Sequence, residues 1–389
     1  MQHCNLCIGL SFTFGILQEN YESGPFKGQG AIVTVGTTAS GFVYLSAPLT
    51  FWLFQYWNTG RRFWPVAGAL LMVVAIIASS WCDTVPQLIV TQGLLYAMGC
   101  TLVYTPSIFY LDEWFDKRKG LAFGMMYAGT GLGGVILPFA FTATLSSFSV
   151  RTLLRGYGVI VCILLAVCLP YLRGRTPPGP RRQFDYSFLR SPMFLLFQLG
   201  NVIQSLGFFL PPLFLPNYLD SLDASPIMKT LSVVIFNLTS VVGCVALGVL
   251  IDRLRMTTCL AISTFGAAVS ILALWGLARN VTMVLCFAAV YGLFAGAFSS
   301  TWPGIMRIVQ QEWPNASGTM VFAFLAAGRG LGNIISGPIS AYLILDHDGR
   351  EGSPLGYDSK FMPMIIFTGI SALLGGIGVI YKVHSRQSG

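Results

Sequence analysis

Apolar runs long enough to cross a bilayer recur from one end of this chain to the other, and nothing else restricts its folding so tightly. A helix needs roughly 20 mostly apolar residues to span the hydrocarbon core. Such runs cover 1–20, 31–57, 63–81, 86–110, 119–143, 152–172, 192–216, 230–251, 257–277, 281–306, 316–345 and 361–381. Inside lipid every backbone N–H and C=O must be satisfied, which leaves only helices or closed barrels. The length of the runs selects helices. Charged types make up 10% of the 389 residues and hydrophobic types 54%. Soluble proteins average about 25% charged residues, so this chain lacks the charge to coat a water-facing surface. The expected fold is all-α and integral to the membrane, with about twelve transmembrane helices. The first run starts at Met1 with no charged leader and no small-residue cleavage site after it. It reads as a shortened first helix rather than a secretory signal.

The loops carry the orientation signal. With the N-terminus inside, 15 Lys and Arg fall in inside loops and 7 in outside loops, while Arg329 lies within a span. Basic residues favour the cytoplasmic side, so both termini are expected there, in the plasma membrane or an internal one. Residues 173–191, which include Arg173, Arg175, Arg181 and Arg182 among prolines and glycines, form a basic connector. It divides the chain into a six-helix bundle over 1–172 and a second over 192–389. The net charge of +8 is spread over these short loops rather than gathered on one face, which argues against nucleic acid as a partner. The nine cysteines lie mostly inside apolar runs. Cys4 and Cys7 make a lone CxxC, and a metal site needs a second ligand pair that the sequence lacks. No metal and no cofactor is expected.

The two halves repeat. At an offset of 199, Trp114 aligns with Trp313, Ala128-Gly129 with Ala327-Gly328, and Gly131-Leu132-Gly133 with Gly330-Leu331-Gly332. At an offset of 197, Gly99 aligns with Gly296 and Pro106 with Pro303. Paired repeats of this kind build solute sites at the bilayer midplane. Gly129-x-Gly131-x-x-Gly134 matches a dinucleotide fingerprint by letter. That fingerprint needs a preceding strand, and here it sits in an apolar helix. Gly129/Gly133 and Gly328/Gly332 instead have the spacing of close helix packing.

These features resemble the major facilitator superfamily. Gly248-x-x-x-Asp252-Arg253 resembles one half of that family's loop motif, and Gly60-Arg61-Arg62 the other half, with Trp57 standing where an aspartate is expected. Phe14 to Tyr21 and Trp114 to Gly134 resemble the fungal members of its monocarboxylate-transporter-like branch. The resemblance implies two six-helix bundles and alternating access, with Gly60, Arg61, Arg62, Gly248, Asp252 and Arg253 at a cytoplasmic gate. The ionic residues of proton-coupled animal members are missing. Gln18, Ser240 and Cys244 occupy their aligned positions.

Ionisable side chains inside a bilayer are costly and mark function. Arg329 is the one charge at midplane depth. Asn333, one turn away, is its candidate internal partner; a solute carboxylate is the alternative. Gln18, Asn201, Gln204, Asn237, Tyr104 and Tyr127 are further candidates for the solute path, against a plain role in interhelical hydrogen bonding. Glu19 is the candidate proton acceptor. With no carboxylate at midplane depth, proton coupling is expected to be weak or absent. Phe208-Phe209 and Pro211-Pro212 mark a kink or gate in span seven. No HExxH, GxSxG or P-loop occurs, and His3, His347 and His384 lie far apart in the sequence, so no enzyme is expected. The expected function is carriage of a small organic solute, a monocarboxylate or other organic anion, by a monomer in a lipid bilayer. A solute sensor without flux and an integral-membrane enzyme are the competing readings.

Overall fold

A computed structural model describes residues 9–24, 26, 30–57, 62–115, 117–172, 174–175, 185–345 and 356–380. Most of those residues are helical, and no strand occurs among them. The helices are α1 (Gly9–Ser23), α2 (Val33–Leu45, resuming as Ala47–Tyr56), α3 (Phe63–Ser79), α4 (Val85–Trp114), α5 (Lys119–Leu145) and α6 (Val150–Tyr171) in the first half. The second half holds α7 (Pro192–Asp220), α8 (Pro226–Arg253), α9 (Met256–Trp275), α10 (Val281–Glu312), α11 (Gly318–Leu345) and α12 (Met362–Ile380). Nine of these are long and apolar enough to cross a membrane by themselves. Each expected run meets one helix. The end of α6 and the start of α7, which flank residues 173–191, mark one end of the bundle, called here the connector end.

Sequence patterning sorts the helices into layers. α3, α6, α9 and α12 present Leu70, Val74, Ile160, Ile163, Phe265 and Ile370 outward, as a lipid-facing surface requires. α5 packs along α8, and α2 along α11, so two long seams join the halves. Lipid is as apolar as leucine, so helices associate through close packing and buried polar contacts rather than through a hydrophobic drive. The seams are accordingly lined with glycine. A Cβ on Gly248 would stand 2.6 Å from the Gly120 carbonyl oxygen. On the other seam, a Cβ on Gly330 would collide with the backbone of Gly41 and Leu45.

The expected packing role of the repeat glycines divides by position. Gly131 meets Val241 of α8, and Gly330 meets α2, both across the seams. Gly328 and Gly332 meet Gln198 and Ser205 of α7, inside the second half. Gly129 and Gly133 are buried in α5. α7 is interrupted at Phe209, just before Pro211 and Pro212. Proline cannot donate to the helix ladder, so the interruption has a local cause.

In the connector, Asp185 accepts the Ser187 backbone N–H at 2.8 Å. Hydrogen bonds from Ser187 hold its carboxyl below the usual carboxylate range. Arg173, residues 176–184, Cys4, Cys7, Gly60 and Arg61 lie outside the described residues.

Candidate functional site

Arg329 is the twelfth residue of α11, about 17 Å along the helix at 1.5 Å per residue. It is 2% exposed. Its Nη1 donates to Gln204 Oε1 of α7 at 3.2 Å, and its guanidinium lies 4.3 Å from the centre of the Phe208 ring. That single hydrogen bond uses one of five N–H donors. Among the described residues no carboxylate pairs with it. The expected internal partner, Asn333, makes no hydrogen bond to it, and both polar atoms of that side chain are buried without partners.

Arg329 faces a cavity of about 30 Å³ lined also by Tyr44, Tyr127, Thr130, Phe208, Asn237 and Cys244. Residues of both halves contribute. Thr130, the repeat partner of Arg329, lines the same space, as a pseudo-symmetric site demands. A cavity this size holds a water or two and is too small for an organic solute in this conformation.

Aromatic layers close it. Toward the connector end, Phe322 of α11 stacks on Phe51 of α2 at 6.2 Å, with Phe123 of α5 and Trp302 of α10 packed beside it. Trp302 meets Tyr44 and Tyr127 edge-on, and its indole N–H has no partner. Toward the other end, Phe208 touches Phe209 and Phe236, and Tyr291 donates to the Phe208 carbonyl at 3.0 Å. A larger cavity, about 200 Å³, lies within the first half between Tyr21, Ser80, Asp83 and Arg151. It is off the seams, and its charges pair with each other at 2.8 Å.

Other predicted residues take other places. Gln204 and Arg329 touch, and Asn237 and Tyr127 line the cavity with Arg329. Tyr104 is buried beside Tyr127, without a hydrogen bond of good geometry between the hydroxyls. Asn201 donates to the Leu325 carbonyl at 2.6 Å and braces α7 on α11. Gln18 is fully buried but bonds Glu22 near the far end of α1. Glu19 pairs with Lys229 of α8 at 2.8 Å, and Lys229 also contacts Asp220.

The connector end has its own tie. Asp252, at the end of α8, accepts the backbone N–H groups of Gly120 and Leu121 at 3.1 and 3.0 Å. Those donors belong to the first turn of α5, where helices leave N–H groups unsatisfied and positive potential gathers. A carboxylate cap of this kind contributes about 0.5–2 kcal/mol. Arg307 of α10 holds the same carboxylate at 3.1 Å. Arg118 reaches the start of α5 in the left-handed conformation, φ 56°. The repeat-related loop has Trp57 in place of the aspartate and cannot cap α11 in this way. Arg62 and Arg253 are exposed at the same end.

No group of three or more metal-ligating side chains occurs among the described residues. The Major Facilitator Superfamily model matches residues 7–212 and 197–388, each half once. The chain is 26% identical to an MFS-type transporter of Gibberella moniliformis, over 84% of this chain and 79% of that one. It is 25% identical to an agnestins efflux protein of Paecilomyces divaricatus, over 96% and 83%. It is 25% identical to a fujikurins efflux protein of Gibberella fujikuroi, over 96% and 78%. Crystallised nucleoside transporter NupG superposes with a TM-score of 0.69 over 98% of this chain and 100% of that one, at 13% identity, a likeness of fold alone. With its two matched halves and its apolar helices, the chain belongs to the Major Facilitator Superfamily and is a multi-pass membrane transporter.

Proposed function

We propose that this transporter exports a small organic anion, with Arg329 as its anchor, by rocking the two halves about the seams. One observation carries the reading. A buried guanidinium lies where both halves meet, with a neutral amide and a phenyl ring for partners and no counter-charge among the described residues. Guanidinium stays protonated in proteins and matches carboxylates with a planar fork. A structural brace costs less when built from neutral groups. The partnerless Trp302 N–H beside the cavity adds a second donor for an acceptor-rich solute. The efflux names of the relatives support the outward direction. Gln204 orients the guanidinium, Asn237 and Tyr127 supply polar wall, and the aromatic layers gate.

The test is thermal unfolding of the purified protein against a panel of carboxylates, phosphorylated compounds, nucleosides and amines. A ligand that binds only the folded state raises the midpoint. Anionic members should do so and neutral or cationic ones should not. Stabilisation by nucleosides or amines alone would contradict the reading.

The connector end is cytoplasmic in this account, as are both termini, on the 15-to-7 bias of basic residues. An epitope placed in residues 173–191 should be reached by antibody only after the cells are permeabilised. Labelling of intact cells would invert the orientation.

A further inference from the structure

At the end of the bundle opposite the connector, a carboxylate on α1 bonds across to α7 of the other half. Glu22, in the last turn of α1, is only partly buried. Its Oε1 accepts Gln18 Nε2 of the same helix at 3.0 Å, and its Oε2 accepts Asn217 Nδ2 of α7 at 2.8 Å. Each carboxylate oxygen is thus held by a neutral amide, one from each half. Gln18 is fully buried, and its own Oε1 is an acceptor with no partner.

We propose that Glu22 is a proton-binding site, and that a proton there weakens the seam between the halves at this end. The inference goes beyond the anion reading and does not depend on it. An ionised carboxylate accepts on both oxygens, whereas a protonated one must donate from one of them. An N–H facing that O–H is a donor facing a donor. Rotation of the Gln18 amide brings its partnerless oxygen round to accept the new O–H. The side chain therefore serves both protonation states. Asn217 has two ways to respond. It keeps a bond to the remaining carbonyl oxygen, which has lost its charge assistance, or it loses the bond. Hydrogen bonds to ionised groups are about twice as strong as neutral ones, so the cross-half tie weakens in either case.

Among the described residues, the charged groups facing Glu22 are Glu19 on its own helix and Lys360 ahead of α12. Lys229 of α8 and Asp220 of α7 adjoin through Glu19. The Glu19–Lys229 pair also crosses between the halves, so it is a second tie, distinct from the proton site. Thr142 of α5 and Thr230 of α8 share a hydrogen bond at 2.8 Å nearby, and neither titrates in this range.

The experiment needs no solute. Spin labels are introduced through a ketone-bearing residue at Ser147 and Ser221, one on each half, and the distance between them is measured by pulsed electron resonance in lipid nanodiscs. The pH is taken from about 8 to about 5, toward the ordinary carboxylate range. The wild type should gain a longer-distance population several-fold on acidification. In Glu22→Gln that population should be present at both pH values and show no acid step. Asn217→Ala keeps the carboxylate and removes the donor from the other half, and it too should lose the step. Glu19→Gln should raise the open population at every pH and keep the step. A wild-type acid step in Glu22→Gln overturns the proposal. Should that variant not fold, the same step in Asn217→Ala overturns it.

Discussion

Arg329→Gln should fold, reach the membrane and fail to transport. Removing the guanidinium takes a buried, uncompensated charge out of the seam, which relieves a desolvation cost rather than adding one. The thermal midpoint should therefore hold or rise. Binding should suffer, because a hydrogen bond to a charged partner is worth about 1.5–3 kcal/mol. At 1.4 kcal/mol per tenfold, flux at low solute concentration should fall by about 10- to 100-fold. Arg329→Lys keeps the charge and loses the planar fork, and should retain part of the flux. The fork also holds Gln204 Oε1 and lies on Phe208, contacts that a lysine ammonium does not reproduce. Loss of folding in both variants would make Arg329 a brace and leave the charge of the solute open.

The second large effect comes from the seam. Gly248→Val should hold the connector end open and stop transport while the protein stays folded. A Cβ there meets the Gly120 carbonyl oxygen at 2.6 Å and the Gly124 Cα at 3.2 Å. Both are backbone, so no rotamer change relieves the contact and the halves must part. Overpacking of this kind costs about 1–3 kcal/mol, charged only to the conformation closed at this end. It also pulls Asp252 from the first turn of α5 and so removes the cap. Spin labels on Lys117 and Arg255 should report a longer distance than in the wild type. An unchanged distance with normal flux would mean that the connector end need not close as drawn here.

Most of the architecture was legible because lipid enforces it. Each span must carry its own hydrogen bonds over a fixed length, and the runs measure that length. The repeat around Gly129–Gly133 and Gly328–Gly332 then supplied the two-half arrangement. The candidate site was legible in part for the same reason, since a polar residue in an apolar run stands out. Arg329, Gln204, Asn237 and Tyr127 were found in that way, and the structure brings them together. Phe208, Phe322, Trp302 and Phe51 form the closing layers, yet an aromatic residue in an apolar run carries no signal of its own. Glu22 was missed for a different reason. The first apolar run reads as far as residue 20, whereas α1 continues to Ser23, which leaves the carboxylate on the helix facing Asn217. Its partners come from α7, and no spacing rule joins residues 195 positions apart. Asn201 and Gln18 show the opposite case. They are polar, buried and near the seams, but the first braces α11 and the second serves Glu22.

The most direct measurement of the central claim compares the organic compounds released by cells carrying the wild type, cells carrying Arg329→Gln, and cells with neither. Both proteins must be present at equal surface level. The account predicts that compounds released by the wild type and retained with Arg329→Gln bear a carboxylate or another anionic group. Release of the same compounds by Arg329→Gln, or wild-type-dependent release confined to neutral or cationic compounds, would contradict it.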